Sequence, residues 1–276
     1  MSESRLIAMD GALRDRVIVI IGGTTGMGLS AAKACANAGA KLVIVGRDAP
    51  ETSAAASMLG KGVCAMTGDA TQSATAVKAI RTAVDEFGRL DGLYHVAGGS
   101  GRGAGDGPLH QITDEGWDFT TRLNLSTLFY SNRAAVQQFL KQKTGGSILN
   151  MGSVLGWSPS PEFFATHAYA TSKAAIIGLT QSAAAHYAPH GIRFNVISPG
   201  LVRTPMSQRA DNDAKIMQFI EQKQPLDGGR IGTPEDLDAA VVYFLSDQSK
   251  FVTGQVLAID GGWSVSEGRE RAEGAP

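Results

Sequence analysis

The stretch Val17-Ile-Val-Ile-Ile21-Gly-Gly-Thr-Thr-Gly26-Met-Gly28 decides the fold class of this chain. Its opening residues are apolar and β-branched, a pattern typical of a strand that is buried on both faces of a parallel sheet. Glycines then break the run, and the alanine-rich segment 29–38 predicts a helix. Glycine lets the backbone turn tightly and approach a pyrophosphate, and the free N–H groups and dipole at a helix start attract its negative charge. The stretch therefore predicts a strand, a turn and a helix that together bind a dinucleotide.

The glycine spacing also allows a second interpretation, in which the glycines serve only the turn and the packing of the helix. The spacing GxxxGxG from Gly22 to Gly28 differs from the GxGxxG pattern of the larger dinucleotide-binding folds. The sequence GxxxxGK[ST], which would indicate a phosphate-binding P-loop, does not occur in the chain.

Further strand-like runs alternate with helical stretches along the rest of the chain. They are Lys41 to Val45, Gly62 to Thr67, Gly92 to Val96, Ser147 to Met151, Arg193 to Ile197 and Gln255 to Ile259. Such alternation predicts right-handed strand–helix–strand units and a parallel sheet that helices cover. We therefore expect an α/β fold of the Rossmann type. It is a doubly wound, seven-stranded parallel sheet with helices on both faces, which makes a three-layer sandwich.

Length and composition predict a single domain. The chain has 276 residues, 43% of them hydrophobic, and no Pro/Ser linker or run of charge divides it. We expect an N-terminal extension over residues 1–13, one domain over residues 14–263 and a polar C-terminal tail over residues 264–276.

Charge and hydropathy limit the classes of partner. The formal net charge is −1 and there is no dense stripe of Lys and Arg, which argues against nucleic acid or an anionic membrane. No segment approaches the roughly 20 apolar residues of a membrane span, and residues 1–5 lack the apolar core of a signal peptide. We therefore expect a cytoplasmic protein with a small-molecule ligand. Cys35 and Cys64 lack metal-ligand or redox spacing, so we expect reduced thiols and no metal site.

The segment His167-Ala-Tyr-Ala-Thr-Ser-Lys173 carries the candidate chemistry. If residues 169–187 form a helix, Tyr169 and Lys173 share one face, because residues four apart are neighbours on a helix surface. A nearby cation favours the phenolate and so lowers the pKa of a tyrosine from about 10 toward the working range of an acid or base. By itself such a pair is also compatible with a solvated helix surface.

Taken in order, the motifs of residues 14–263 resemble those of the short-chain dehydrogenases/reductases. The matching positions are Gly22, Gly26 and Gly28, Ala97-Gly98, Asn124, Ser153, Tyr169 with Lys173, Pro199-Gly200 and Thr204. The chain departs from the family pattern at Ile21, where a threonine is usual, and at His95-Val96, where the family has two asparagines. The resemblance implies a single NAD(P)-binding catalytic domain that interconverts a secondary alcohol and a ketone by hydride transfer.

The resemblance assigns a role to each catalytic position. Tyr169 would donate the proton and Ser153 would hydrogen-bond the same substrate oxygen, where negative charge develops. Lys173 would lower the tyrosine pKa and hold the ribose hydroxyls, and Asn124 would bind a water that links Lys173 to solvent. Residue types alone allow simpler roles, with Ser153 as a cap or turn residue and Asn124 as a polar residue satisfied inside its helix.

The expected cofactor site covers both ends of a dinucleotide. Its residues are Gly22, Thr24, Thr25, Gly26, Met27, Gly28, Arg47, Asp69, Ala70, Ala97, Gly98, Tyr169, Lys173, Pro199, Gly200, Val202 and Thr204. At the end of the second strand Gly46 replaces the acidic residue that would bind the ribose of NAD, and Arg47 follows it. A guanidinium binds a phosphate well, so we expect NADP, with NAD as second choice because Asp48 could serve it. A surface Arg47 paired with Asp48 is the simpler alternative.

The substrate and the assembly are less constrained by sequence. The resemblance implies that segment 202–231 and the loops after the fourth and fifth strands enclose the substrate. Within them, an apolar wall is expected from Leu155, Trp157, Phe163, Phe164 and Met206. This predicts a medium-sized, partly apolar ketone or secondary alcohol. The C-terminal segment 253–263 resembles the strand that pairs subunits in the family's tetramers, so we expect a homotetramer, with a dimer as the alternative. An epimerase or dehydratase with a recycled cofactor, and a nucleotide sensor without turnover, are the alternative functions.

Overall fold

Parallel pairing joins all the strands of the computed structural model, which describes residues 11–268. The strands are β1 (Val17–Ile21), β2 (Lys41–Gly46), β3 (Val63–Thr67), β4 (Gly92–His95), β5 (Gly146–Met151), β6 (Ile192–Pro199) and β7 (Val256–Ile259). They form a seven-stranded sheet in the order β3-β2-β1-β4-β5-β6-β7. The predicted seven-stranded parallel sheet is therefore confirmed, and the expected strand bounds are right to within a residue or two.

Helices connect the strands. They are α1 (Gly26–Asn37), α2 (Ala49–Leu59), α3 (Ser73–Phe87), α4 (Asp114–Thr121), α5 (Thr127–Gln142), α6 (His167–Tyr187), α7 (Gln208–Asp211), α8 (Ala214–Lys223) and α9 (Asp238–Leu245). A π-helical turn over Arg122–Ser126 joins α4 to α5, and several short 3-10 turns precede the helices of the C-terminal half.

The two faces of the sheet carry separate apolar clusters, as the continuous apolar character of β1 predicts. Ile18 and Ile20 point to one face, where they pack with α1, α2 and α9. Val17, Val19 and Ile21 point to the other, where they pack with α3, α5 and α6. Alternate residues of a strand face opposite sides of a sheet, so each strand needs apolar residues at every position to fill both layers. The three-layer sandwich with helices on both faces is confirmed.

The strand order reverses direction between β1 and β4, which are hydrogen-bonded neighbours although β2 and β3 separate them in the chain. In open parallel sheets a crevice forms outside the carboxyl ends of the strands at such a point, and ligands bind there. The glycine turn after β1 and the segment after β4 both begin at this crevice. The topology therefore brings the predicted cofactor residues to one edge of the sheet.

The ends of the chain lie partly outside the described residues, which exclude 1–10 and 269–276. Leu13, at the end of the predicted N-terminal extension, is buried in the core, and its N–H donates to the Ala38 carbonyl at 3.0 Å. The division into extension, domain and tail stays a prediction. Within the described range, every helix is too short or too polar to traverse a lipid bilayer.

Candidate active site

A cleft of about 1010 Å³ opens at the carboxyl ends of the strands. It is lined by every residue that the sequence assigned to the cofactor site, together with Ser153. These residues follow β1, β2, β3, β4, β5 and β6 in the chain, and the parallel sheet alone brings them to one place. Asn124 does not line the cleft and lies directly behind it, against the backbone of Gly99.

The glycine turn after β1 leaves no space for side chains where backbone segments meet. Gly22 has φ +93°, a left-handed conformation that favours glycine, and a Cβ there would lie 2.7 Å from the Ala97 nitrogen. A Cβ on Gly28 would lie 1.9 Å from the Gly22 carbonyl oxygen. Helix α1 begins at Gly26, inside the same turn. The free N–H groups at the start of α1 and the glycine backbone beside them can therefore bind the pyrophosphate of a dinucleotide.

The end of β2 is closed to an acidic side chain. A Cβ on Gly46 would lie 2.3 Å from Thr24 Oγ1, so the threonine occupies the position where a carboxylate would have to stand. Asp48 instead caps α2, because its Oδ1 accepts from the Glu51 N–H at 3.0 Å. Arg47 is exposed at the rim of the cleft, and within residues 11–268 it forms no ion pair, with Asp48 or otherwise.

Residues that follow β3 and β6 supply the rest of the expected cofactor site. Asp69 lines the cleft, and its two carboxylate oxygens accept from the N–H and the hydroxyl of Thr71 at 2.9 and 2.8 Å. Thr204 lines the cleft next to the glycine turn, with its Cγ2 3.4 Å from the position that a Cβ on Gly26 would take. The segment after β6 therefore packs directly beside the turn expected to bind the pyrophosphate.

Tyr169 and Lys173 lie on the first turns of α6, as the sequence predicted for a helix in this region. The Lys173 Nζ lies 5.4 Å from the centroid of the Tyr169 ring and donates to the Met151 carbonyl at 2.9 Å. Lys173 is almost fully buried, and desolvation lowers the pKa of its ammonium to about 8.

The pKa of Tyr169 is raised to about 12, mainly because burial disfavours the phenolate, and a hydrogen bond from Ser153 opposes that shift. The expectation was that Lys173 would lower this pKa, and the structure instead shows it raised by desolvation. The phenol is protonated at neutral pH, which is the form that can donate a proton.

Ser153 occupies a position that serves both roles considered for it. Its Oγ accepts from the Leu155 N–H at 3.2 Å and so caps a short 3-10 turn over Val154–Gly156. Accepting that bond leaves the hydroxyl hydrogen available, and the serine hydrogen-bonds Tyr169. The cap therefore orients the serine toward the tyrosine.

Asn124 is held in the π-helical turn Arg122–Ser126 and is 1% exposed. Its amide N–H groups donate to the carbonyls of Gly99 and Thr120, both at 2.9 Å, and its Oδ1 accepts from the Gly99 N–H at 3.1 Å. The side chain thus ties the helix to the segment after β4. A Cβ on Gly98 would lie 2.7 Å from Asn124 Oδ1, so glycine is required at that position.

His95 lies behind the cleft, where the family pattern has asparagine. It is 1% exposed, with Nδ1 2.8 Å from Ser131 Oγ and Nε2 3.3 Å from Thr127 Oγ1. Burial, assisted by the charge of Lys173, lowers the pKa of its imidazole to about 3, so the ring is neutral. It is a packed strand-end residue rather than a base. His167, the first residue of α6, is exposed and lies outside the cleft lining.

The apolar wall of the substrate end differs in part from the expected one. Leu155, Phe164 and Met206 line the cleft as expected. Phe163 packs against Phe219 with ring centroids 5.1 Å apart, and Trp157 is 42% exposed outside the lining. The sequence analysis missed Phe119, Leu123 and Trp263, which also line the cleft. Trp263 follows β7 in a turn, and no local pattern indicates that the turn folds back over the site.

Two further features concern metal binding and thiols. Cys35 is buried and Cys64 is partly buried, and both are free thiols. Within residues 11–268, His, Cys, Asp and Glu side chains form no group of three that could hold a metal ion.

Comparisons with known proteins agree with this geometry. A family model described as enoyl-(acyl carrier protein) reductase matches residues 22–264. The chain is 36% identical over 264 residues to 2-(S)-hydroxypropyl-CoM dehydrogenase 3 of Xanthobacter autotrophicus, which covers 93% of this chain and 100% of that protein. It is 32% identical over 252 residues to 2-dehydro-3-deoxy-D-gluconate 5-dehydrogenase of Dickeya dadantii, covering 91% and 96% of the two chains.

A solved structure is similar over almost the same range. The structure of a short-chain type dehydrogenase/reductase from Mycobacterium ulcerans has a TM-score of 0.84 and 30% sequence identity, and the match covers 92% of this chain and 91% of that one. Fold, cleft and relatives agree over nearly the whole length, and the chain accordingly belongs to the short-chain dehydrogenase/reductase family of oxidoreductases.

Proposed function

We propose that this protein interconverts a ketone and a secondary alcohol with NADP(H), and that Tyr169 is the group that exchanges the proton. The observation that carries the proposal is the common position of Tyr169, Ser153 and Lys173 in one cleft, beside a backbone cradle without side chains. The two relatives named above are dehydrogenases of hydroxyl-bearing substrates, which supports the same class of reaction.

The bound nicotinamide supplies the hydride in the reductive direction. The residues of this chain then act on the oxygen of the substrate. The Tyr169 phenol holds the proton that the oxygen needs, because its pKa is raised to about 12. Ser153 can donate to the same oxygen, because Leu155 N–H occupies one of its lone pairs and leaves its hydrogen free. Two donors aimed at one point stabilise the negative charge that develops there.

Lys173 holds the ribose of the cofactor beside the reacting groups. One of its N–H groups is used by the Met151 carbonyl, which leaves two for ligand hydroxyls. Its position 5.4 Å from the Tyr169 ring keeps a cation close to any charge that forms on the phenol. The same residues serve the oxidative direction, with the phenolate as base.

Preference for NADP over NAD rests on the end of β2. Gly46 is packed against Thr24, so a ribose-binding carboxylate cannot stand there, and Asp48 is engaged as the cap of α2. Arg47 is exposed at the rim and forms no ion pair within residues 11–268. A guanidinium in that place favours a 2′-phosphate, which it can bind with two hydrogen bonds.

Assembly as a homotetramer, with a dimer as the alternative, is also part of the proposal. Strand β7 is at the edge of the sheet, Leu257 on it is 40% exposed and the nearby Phe251 is fully exposed. Light scattering on the purified protein measures the assembly. A mass near four times 28.8 kDa supports the tetramer.

The test of the function is a titration of the purified protein with NADPH and NADH, followed by absorbance at the reduced-nicotinamide band over a panel of ketones and alcohols. Tighter binding of NADPH with turnover supports the proposal. Tighter binding of NADH contradicts the cofactor assignment. A cofactor that stays bound through purification, with no net turnover, would favour an epimerase or dehydratase, and exchangeable binding with no turnover would favour a sensor.

A further inference from the structure

Two arginines converge at the substrate end of the cleft although they are far apart in the chain. Arg102 follows β4, and Arg209 lies on the short helix α7. Their Nη2 atoms donate to one acceptor, the Phe163 carbonyl oxygen, at 3.4 and 3.3 Å. Both side chains line the cleft and both are exposed to it. A single neutral carbonyl therefore holds two guanidinium groups at the opening.

In the described part of the chain, these two charges form no ion pair. Within residues 11–268 no carboxylate oxygen lies within 4.0 Å of either guanidinium, whereas Arg203 in the same segment binds Asp211 at 2.9 Å. Asp106 is the carboxylate whose charge acts on Arg102, but its oxygens accept from the N–H groups of Ala168 and Tyr169 at 3.0 and 2.9 Å.

The mutual repulsion of Arg102 and Arg209 also favours a bound anion. The pKa of the Arg102 guanidinium is lowered, first by desolvation and second by the charge of Arg209, and the opposing effect of Asp106 is smaller. Like charges at close range repel unless an anion lies between them. A bound anion would remove this repulsion and use N–H groups that the protein leaves unpaired.

Arg102 and Arg209 lie at the substrate end of the cleft, on the far side of Tyr169 from Arg47. Arg102 belongs to the segment that also contains Asp106, which binds the backbone of Tyr169. Arg209 lies 5.9 Å from the centroid of the Phe164 ring, and that ring packs on Trp263 at the substrate wall. Arg47 follows β2, which is separated from β4 by β1 in the sheet. The arginine pair therefore cannot be a second contact to the 2′-phosphate.

We propose that Arg102 and Arg209 bind an oxyanion group at the far end of the substrate, while the carbonyl or hydroxyl that reacts lies against Tyr169 and Ser153. The inference rests on the proposed function and specifies its substrate class: an oxo or hydroxy compound with an apolar middle and a terminal carboxylate, sulfonate or phosphonate. Phe164, Leu155 and Met206 provide the apolar surface between the two ends. The medium-sized, partly apolar ketone or secondary alcohol expected from sequence thus gains a charged end.

The first part of the test measures binding without chemistry. Hexanoate and hexanesulfonate, which have no carbonyl to reduce, are titrated calorimetrically into the protein saturated with NADP⁺, with hexan-1-ol as the neutral control. We expect the anions to bind at least 10-fold more tightly than the alcohol and to lose that advantage in Arg102→Gln and Arg209→Gln. Since charge-assisted bonds contribute about 1.5–3 kcal/mol, each variant should weaken binding by roughly 10- to 100-fold.

The second part uses turnover with matched substrates. The acids 4-oxopentanoate, 5-oxohexanoate and 6-oxoheptanoate are compared with their methyl esters, and a sulfonate and a phosphonate of the preferred length identify the type of anion. We expect kcat/KM to favour the anion, and the two arginine variants to lower it mainly through KM, because the anion is remote from the reacting carbon. The esters should change less than about 3-fold. Arg81→Gln, which removes an exposed arginine from α3, is the control for net charge.

The outcomes separate this inference from the proposed function. Arginine-dependent binding of the anions supports the inference even where no ketone is reduced, and absence of turnover then counts against the function alone. Reduction of esters and acids with equal kcat/KM, with no anion binding, overturns the inference while the function stands. Equal losses on acids and esters in the arginine variants would also overturn it, because they would indicate a structural role for the pair.

Discussion

The carboxylate of Asp106 accepts a hydrogen bond of 2.9 Å from the backbone N–H of Tyr169, and its other oxygen accepts from Ala168 at 3.0 Å. These N–H groups belong to the first turn of α6, where helices have no internal partners for them. Thr166 at the N-cap makes no side-chain cap bond. A residue on a distant loop therefore caps the helix that carries Tyr169 and Lys173, and couples the position of the phenol to the segment after β4.

Asp106→Ala should lower both stability and turnover. We expect a loss of about 1–3 kcal/mol in the free energy of unfolding, because two buried N–H groups lose their acceptor. The kcat should fall by a larger factor than the affinity for NADPH, since the glycine turn after β1 is untouched and only Tyr169 and Lys173 of the expected cofactor site lie on the capped helix. Urea unfolding and steady-state kinetics measure the two effects. Asp114→Ala, at the exposed start of α4, is the matched control, and equal effects of the two substitutions would contradict the assigned cap.

Cofactor selectivity should depend on Arg47 and on the closed position at Gly46. Arg47→Gln should weaken NADPH binding by roughly 10- to 100-fold and leave NADH nearly unchanged, as loss of a charge-assisted phosphate contact implies. Gly46→Asp should weaken both cofactors, because the new side chain would displace Thr24. Quenching of tryptophan fluorescence measures each affinity. Equal weakening of NADPH and NADH in Arg47→Gln would show that Arg47 does not read the phosphate.

Stability below neutral pH should depend on His95. The unfolded chain binds a proton on this residue below a pKa of about 6.5, whereas the folded protein does so only near pH 3. Lowering the pH through this window therefore favours the unfolded state by about 1.4 kcal/mol per pH unit. Between pH 7 and pH 5 the wild-type protein should lose ~2 kcal/mol more than His95→Asn. Urea unfolding at both pH values tests this, with the exposed His110→Asn as control. Parallel losses in all three proteins would contradict it.

The oxidation of an alcohol should accelerate with rising pH, because that direction needs the phenolate and burial raises the pKa of Tyr169 to about 12. The Ser153 hydrogen bond opposes this shift, so Ser153→Ala should move the rise to still higher pH in addition to lowering the rate. Profiles of kcat/KM between pH 6 and pH 10 measure both effects. An oxidation rate that does not change over this range would exclude Tyr169 as the base.

The sheet and the shared helix face of Tyr169 and Lys173 were predictable because their signals are local. Val17 to Ile21 must be apolar at every position to serve two core layers, and Tyr169 and Lys173 are related by the geometry of a single helix. Gly22 and Gly28 reflect close backbone contacts, which leave glycine as the one residue that fits.

The features that sequence did not predict depend on tertiary contacts or on a change in helix type. Asp106 finds its partners 62 and 63 residues away, and nothing beside it in the chain indicates a cap. The π-helical turn holds Asn124 against Gly99, 25 residues earlier in the chain, and no local pattern indicates that contact. The pairing of Arg102 with Arg209 is likewise a product of the fold. The pKa of Tyr169 was expected to be lowered by a neighbouring charge, whereas desolvation raises it.

The central claim is that Tyr169 delivers the proton in a hydride transfer. The most direct measurement is the single-turnover rate of NADPH oxidation by Tyr169→Phe with a ketone that the wild-type protein reduces, with NADPH affinity measured on the same samples. We predict a rate at least about 100-fold lower, as loss of a general acid implies, with NADPH affinity within about 3-fold of wild type. A variant that binds NADPH normally and still reduces the ketone at close to the wild-type rate would contradict the account.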